Sequence, residues 1–108
     1  MKLSVLGMLP VALTILAEGK AVVSKQVEFS DISTSELIAA RSSAQAGEYL
    51  QIHEYCAKAK LLDDQGNKHE IPYDVLAVSS SANLKKLEDL EYELLVKLEA
   101  ESLSNPSN

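Results

Sequence analysis

The sequence predicts an α+β fold in which an N-terminal β-hairpin packs on three to four α-helices, the last of them long and amphipathic. Three observations predict it: two extended apolar segments joined at Gly19, a helix-start motif at Ser33, and a leucine stripe near the C-terminus. The chain has 108 residues, of which 46% are hydrophobic and 24% charged. These values are typical of one globular domain, which we place at residues 1–103, with a disordered tail at 104–108.

The hairpin is predicted at about residues 9–29. Its first strand contains V-A-L-T-I-L-A, with Val11, Leu13 and Ile15 on one face. Gly19 can adopt the positive φ that a tight turn requires, and a valine-rich extended segment follows it. In this second strand, alternate residues are expected to share one face: Val23, Lys25, Val27 and Phe29.

An export signal is the alternative interpretation of the N-terminal segment. Lys2 is a small positive region, residues 3–17 form an apolar run, and Ala17 and Gly19 have the spacing that a signal peptidase requires. The chain would then be a small exported, periplasmic protein whose signal peptide ends near Gly19. We prefer the hairpin because it also explains the β-rich segment that follows. The run is too short to span a membrane, which needs about 20 apolar residues.

Helical structure is predicted at about residues 34–62. Ser33 and Glu36 have the capping-box spacing that starts a helix, and Gly47 is expected to kink or end it. The helical pattern stops at the turn signal "DDQGNK", and residues 60–71 are alternatively a second, small hairpin around that turn. The second half of the helical region is expected to carry one apolar face: Tyr49, Ile52, Cys56 and Ala59.

The last helices are predicted at about residues 73–103, with a short one after Pro72 and a long amphipathic one after a serine linker. The long helix has leucines spaced by three, three, four and four residues, which is typical of a core-facing stripe: Leu84, Leu87, Leu90, Leu94 and Leu98. Its last two turns are apolar in most directions around the axis, and an exposed apolar patch usually marks an interaction site. The candidate partner-binding residues are therefore Leu94, Leu95, Val96 and Leu98.

Charge and cysteine content narrow the classes of function. The net charge of −6, without a Lys/Arg cluster, disfavours binding to nucleic acid and to anionic membranes. Cys56 is the only cysteine, and His53 precedes it by three residues, which brings the two side chains together on a helix. The pair could be a nucleophile and base, or could join His69, Asp63 and Asp64 at a zinc ion. We prefer a core role for Cys56, and expect no catalytic, cofactor-binding or metal-binding residue.

The order of these segments resembles a known family over about residues 9–100. The stretch "LPVALTILAEGKAVVSKQVEFSDISTSELIAAR" is similar to the start of the Mu-like phage tail assembly chaperones. The resemblance continues in the helix around Tyr49–Cys56, in the Ile71-Pro72 pair after a glycine turn, and in the serine-started leucine helix.

The resemblance implies a function that is not enzymatic. Chaperones of this family act in the cytoplasm of the infected or lysogenic host, bind the long tape measure protein and keep its apolar helices in solution, and help to recruit tail tube subunits. By this resemblance we expect the same client and localisation here, with self-association as a further property.

Overall fold

A long β-hairpin opens the chain in the computed structural model, which describes residues 2–104 and their side chains up to residue 102. Strand β1 (Ser4–Ala17) pairs with the antiparallel strand β2 (Lys20–Ser30). The predicted hairpin is therefore confirmed, although its first strand begins about five residues earlier than predicted.

Glu18 and Gly19 form the turn between the two strands. Both have positive φ angles, 54° and 81° respectively. Positive φ at both central residues is the signature of a type I′ turn, whose twist matches that of the flanking strands. The turn predicted at Gly19 is thus confirmed, and Glu18 shares the left-handed conformation, which is uncommon for a residue other than glycine.

A bulge divides the hairpin into two halves. Pairing is regular up to Met8↔Gln26 and resumes at Leu13↔Ser24. Residues 9–12 of β1 therefore lie opposite a single residue of β2. The register shifts by an odd number of residues at the bulge. A residue of β2 that would face the core by simple alternation from one half of the strand therefore faces away from it in the other half.

Because of the bulge, the residues of β2 that face the core differ from those predicted. Val27 and Phe29 are fully buried as expected, but Val23, which was predicted to lie beside them, is 61% exposed. Val22 packs against the core in its place. A strict alternation over the whole strand was wrong because the register shift lies between Val23 and Val27.

Within residues 2–104, four helices and two further strands follow the hairpin. The sheet has the order β1-β2-β3-β4, and all neighbouring strands are antiparallel, which with the helices confirms the predicted α+β fold. The remaining elements are α1 (Thr34–Ser42), α2 (Leu50–Lys58), β3 (Ala59–Leu62), β4 (Lys68–Glu70), α3 (Tyr73–Ala77) and α4 (Ser81–Ser104).

Helix α1 begins with the predicted capping box. The Ser33 hydroxyl accepts a hydrogen bond from the Glu36 amide at 3.1 Å, and the Glu36 carboxylate accepts one from the Ser33 amide at 3.0 Å. The hydrogen bond from the Ser33 amide and, after it, the Lys2 ammonium 3.0 Å away lower the pKa of Glu36 to about 2. Gly47, with φ of 86°, lies between α1 and α2 and is the predicted break in the helical region.

The predicted helix through residue 62 ends at Lys58, so the prediction is wrong beyond that point. Ala59 and Leu61 instead belong to β3 and are fully buried against β2. The alternative interpretation, a small hairpin within residues 60–71, is the one observed. Pairing with β2 outweighs the helical propensity of this alanine-, lysine- and leucine-rich segment.

The apolar face of α2 differs from the prediction at its first residue. Ile52 and Cys56 pack against the core, but Tyr49 precedes the helix and is 71% exposed. Tyr55, which was not part of the predicted face, is the buried residue of α2. Its ring contacts Phe29 with a centroid distance of 5.9 Å, so α2 packs on the sheet through an aromatic pair.

The predicted leucine stripe of α4 packs against the sheet. Leu87, Leu90 and Leu94 are buried, and the other two leucines of the stripe pack against them from the margin. At Gly7 of β1 the helix and strand come unusually close, because a Cβ there would lie 2.6 Å from a Leu90 methyl carbon. This position accepts glycine because α4 occupies the space that a side chain would need.

The described chain ends within α4. The disordered tail was predicted from residue 104, but Ser104 is the last residue of the helix, and residues 105–108 lie outside the described part of the chain. Within residues 2–104, no helix combines the length and the apolar character that crossing a lipid bilayer requires.

Asn83 of α4 closes the bulge of β1. Val11 was predicted to share a face with Leu13 and Ile15, which are buried, but it lies in the bulge and its side chain is 45% exposed. Its backbone amide donates to Asn83 Oδ1 and its carbonyl accepts from Asn83 Nδ2, both at 3.0 Å. The fully buried Asn83 thus supplies the hydrogen bonds to Val11 that the neighbouring strand does not make at the bulge.

A second contact from α4 reaches β1, which is one of the two edge strands of the described sheet. Lys97 Nζ donates to the Ser4 carbonyl at 2.8 Å. Pro10, within the bulge, has no backbone N–H to offer an incoming strand. Open edges invite pairing with other chains, and the contact of Lys97 with the Ser4 carbonyl therefore occupies one backbone acceptor of this strand.

We predict that Asn83→Ala lowers the free energy of unfolding by about 2 kcal/mol, because it leaves a backbone donor and acceptor of Val11 without partners. Urea denaturation with an unchanged slope would measure this loss. Gln65→Ala, in the exposed β3–β4 turn, is the matched control and should change stability by less than about 0.5 kcal/mol. Equal losses for the two variants would show that the bulge does not depend on Asn83.

Candidate helix-binding groove

An open groove of about 440 Å³ lies between residues 88–98 of α4 and the end of β2. Its floor is apolar and its rim carries charged side chains from three separate elements. The lining residues are Phe29, Ser30, Asp31, Lys58, Glu88, Glu91, Tyr92, Leu94, Leu95 and Leu98.

The structure brings together three of the four predicted partner-binding residues. Leu94 is a core residue with 4% exposure, Leu98 packs against the core, and Leu95 is 51% exposed, and all three line the groove. Val96 is also exposed, at 49%, but does not line the groove. Successive helical residues are turned by about 100°, so Val96 lies on a different side of α4 from Leu95.

Several groove residues were missed at the level of sequence. Tyr92 is 68% exposed and lies three residues before Leu95, a helical spacing that could have identified it. Asp31 directly follows β2 and Lys58 is the last residue of α2, and their position beside α4 depends on tertiary packing. No local pattern in the sequence connects these two residues with the leucine helix.

A polar cluster forms one wall of the groove. Lys58 Nζ lies 2.9 Å from Glu91 Oε2, and the Tyr55 hydroxyl donates to Glu91 Oε1 at 3.2 Å. Burial, with the negative charge of Glu91, raises the pKa of Tyr55 to about 12. The cluster fixes the end of α2 to α4 and neutralises the one lysine of the groove.

A second apolar surface lies at the other end of α4. Tyr49, Leu50 and Val78 are 71%, 51% and 85% exposed, respectively. A cavity of about 390 Å³ lies at this surface, between the start of α2, the end of α3 and Leu84. This surface has no charged lining residue, so it differs from the groove in its electrostatic character.

Cys56 and His53 are each engaged in structural contacts. Burial raises the pKa of the Cys56 thiol to about 11, which disfavours the reactive thiolate at neutral pH. His53 Nε2 lies 2.8 Å from Glu48 Oε1, and Nδ1 lies 3.3 Å from the Ser43 hydroxyl. The imidazole also stacks on Tyr73 with a centroid distance of 4.5 Å. These contacts join the segment after α1 to α2 and α3.

Two of the residues considered for zinc, Asp63 and His69, instead stabilise the β3–β4 turn. Asp63 accepts hydrogen bonds from the amides of Gln65 and Asn67 and lies 2.9 Å from His69 Nε2. These contacts, of which the one with His69 is the strongest, hold the pKa of Asp63 well below its usual range. In the part of the chain that the structure describes, no three His, Cys, Asp or Glu side chains are grouped so that they could hold a metal ion.

Comparison of the chain with protein-family models, with curated proteins and with solved structures gives no match. A role for the groove therefore has to be inferred from its own residues and geometry, together with the sequence resemblance described above.

The raised pKa of Tyr55 predicts that the stability of the fold depends on pH in the alkaline range. The phenol ionises near pH 10 in the unfolded chain and near pH 12 in the folded one, so the unfolded state binds fewer protons between these values. We expect this contribution to stability to be intact below pH 10 and lost progressively from pH 10 to 12. Tyr55→Phe should reduce the loss measured by urea denaturation. Identical pH profiles for both proteins would contradict the assignment.

Proposed function

We propose that this protein is a non-enzymatic tail assembly chaperone of a Mu-like phage or prophage. It acts in the host cytoplasm, where it binds the tape measure protein, keeps it in solution during tail assembly, and helps to recruit tail tube subunits. The observation that carries the proposal is the apolar groove beside residues 88–98 of α4.

The groove suits a helical client because of its dimensions and lining. Glu88 and Leu98, the first and last α4 residues that line it, are ten residues apart, or about 15 Å along the helix. Leu94, Leu95 and Leu98 follow the spacing at which one helix packs on another. An amphipathic helix that is insoluble alone could bury its apolar face here, in the helix-in-groove mode of recognition.

The sequence resemblance supports the same proposal independently of the groove. It extends over about residues 9–100 and includes the order hairpin, capped helix, middle helix, glycine turn and leucine helix. The net charge of −6 is consistent with a protein that keeps an apolar client in solution, because mutual repulsion opposes aggregation of the complexes.

Retention of the N-terminal segment is part of the proposal. Cleavage near Gly19 would remove β1, and with it Leu9, Leu13 and Ile15 of the core. A chain shortened in this way would leave one side of β2 unpaired. The proposal therefore favours an intact N-terminus over the exported alternative, and mass spectrometry of the native protein would distinguish the two.

Co-expression with the tape measure protein from the same gene cluster tests the function. We expect the client to be soluble with the wild-type chaperone and to bind Leu95→Asp about tenfold more weakly, because a buried carboxylate opposes the apolar contact. Val78→Asp is the matched control, since it also replaces an exposed apolar residue, and should behave as the wild type. Circular dichroism would verify that both variants fold.

Two results would contradict these assignments in different ways. A tape measure protein that is equally insoluble with and without the chain would refute the chaperone function. A loss of binding with Val78→Asp but not with Leu95→Asp would retain the function and move the binding surface to the α2–α3 end of the molecule.

A further inference from the structure

The groove has an acidic rim that its own lysine does not neutralise. Three carboxylates line it, at Asp31, Glu88 and Glu91, against one ammonium, at Lys58. Glu91 and Lys58 pair with each other at 2.9 Å. Among the described residues, Asp31 and Glu88 form no ion pair, so two negative charges face whatever occupies the groove.

Helix α4 as a whole adds to the negative charge around the groove. It contains three lysines and six acidic residues, a net charge of −3, which is half of the net charge of the chain. Lys97 is directed to the Ser4 carbonyl, and Lys85 is paired with Asp89 at 2.9 Å. These two lysines are engaged elsewhere and do not line the groove.

The occupant must satisfy its own backbone hydrogen bonds. Phe29 of β2, at the floor of the groove, pairs with Val5 on one side and with Ala59 on the other. Phe29 therefore offers no open strand edge to an extended peptide, whose unpaired amides would be costly on an apolar floor. A helix, in which those bonds are internal, avoids this cost.

We infer that the groove binds an amphipathic helix whose apolar stripe is flanked by lysine or arginine residues. This inference rests on the proposed function and specifies the segment of the client that the groove selects. The apolar stripe contacts Tyr92, Leu95 and Leu98, and the basic flanks face Asp31 and Glu88. A client helix with acidic flanks would place like charges together and bind more weakly. The groove is therefore selective among apolar helices.

Two synthetic amphipathic peptides test this inference. Both carry the same leucine stripe over about three heptads, one with lysine and the other with glutamate at the flanking positions. A third peptide has the lysine composition with the leucines scrambled. Fluorescence anisotropy should show the lysine peptide binding roughly threefold to tenfold more tightly than the glutamate peptide at low salt, with the difference disappearing near 1 M salt.

Two double variants test whether Asp31 and Glu88 cause the preference for the lysine peptide. Asp31→Asn with Glu88→Gln should lower the affinity for the lysine peptide and abolish the discrimination. Glu18→Gln with Asp64→Asn, in the two exposed hairpin turns, changes the net charge equally and should preserve the discrimination. Equal effects of both double variants would overturn the inference, because the preference would then arise from overall charge.

The remaining outcomes separate this inference from the chaperone function. Equal binding of the lysine and glutamate peptides, absence of binding by both, or equal binding of the scrambled peptide would overturn the inference. The chaperone function would nevertheless stand if co-expression keeps the tape measure protein soluble. Conversely, lysine-selective binding that depends on Asp31 and Glu88 would support the inference even if the tape measure protein is not the client.

Discussion

The packing of α4 on the bulged edge strand β1 is the interaction on which the rest of the structure depends. A bulge this large would ordinarily leave the backbone of Val11 without partners and weaken the hairpin. Asn83 satisfies both groups from the first turn of α4, and Leu90 fills the space left by Gly7 farther along the helix. The long strand and the long helix therefore stabilise each other, and neither has a complete set of contacts alone.

This packing also determines which residues remain for a partner. Because Leu87, Leu90 and Leu94 face the sheet, helical geometry turns Leu95 toward the groove and Val96 toward solvent. The groove is thus a consequence of how α4 is oriented on the hairpin. A change in the register between α4 and β1 would alter the binding surface as well as the core.

The features that could be predicted from the sequence are those that depend on nearby residues. The capping box at Ser33 involves residues three positions apart, and the leucine stripe is a periodic pattern within one helix. The bulge depends instead on a contact between Val11 and Asn83, which are 72 residues apart. Strand β3 was predicted only as an alternative to a continued helix for the same reason, because β2 imposes it on a segment with helical propensity.

The candidate site likewise combines features that the sequence predicts with features that depend on contacts between distant residues. The leucines of the groove were predicted because they belong to one helix with an unusual excess of apolar residues. The charged rim was not, since Asp31 and Lys58 reach α4 from other elements, and Lys58 and Glu91 are 33 residues apart in the chain. Sequence periodicity identifies an apolar surface, whereas its electrostatic selectivity requires the assembled fold.

Native-state hydrogen exchange at the Val11 amide tests the central claim most directly. If α4 closes the bulge through Asn83, this amide should exchange as slowly as that of Val27 in the middle of the sheet, because both require global unfolding. Exchange of the Val11 amide as fast as that of Gly66, in the exposed β3–β4 turn, would mean that the bulge opens independently and that α4 does not secure the edge of the sheet.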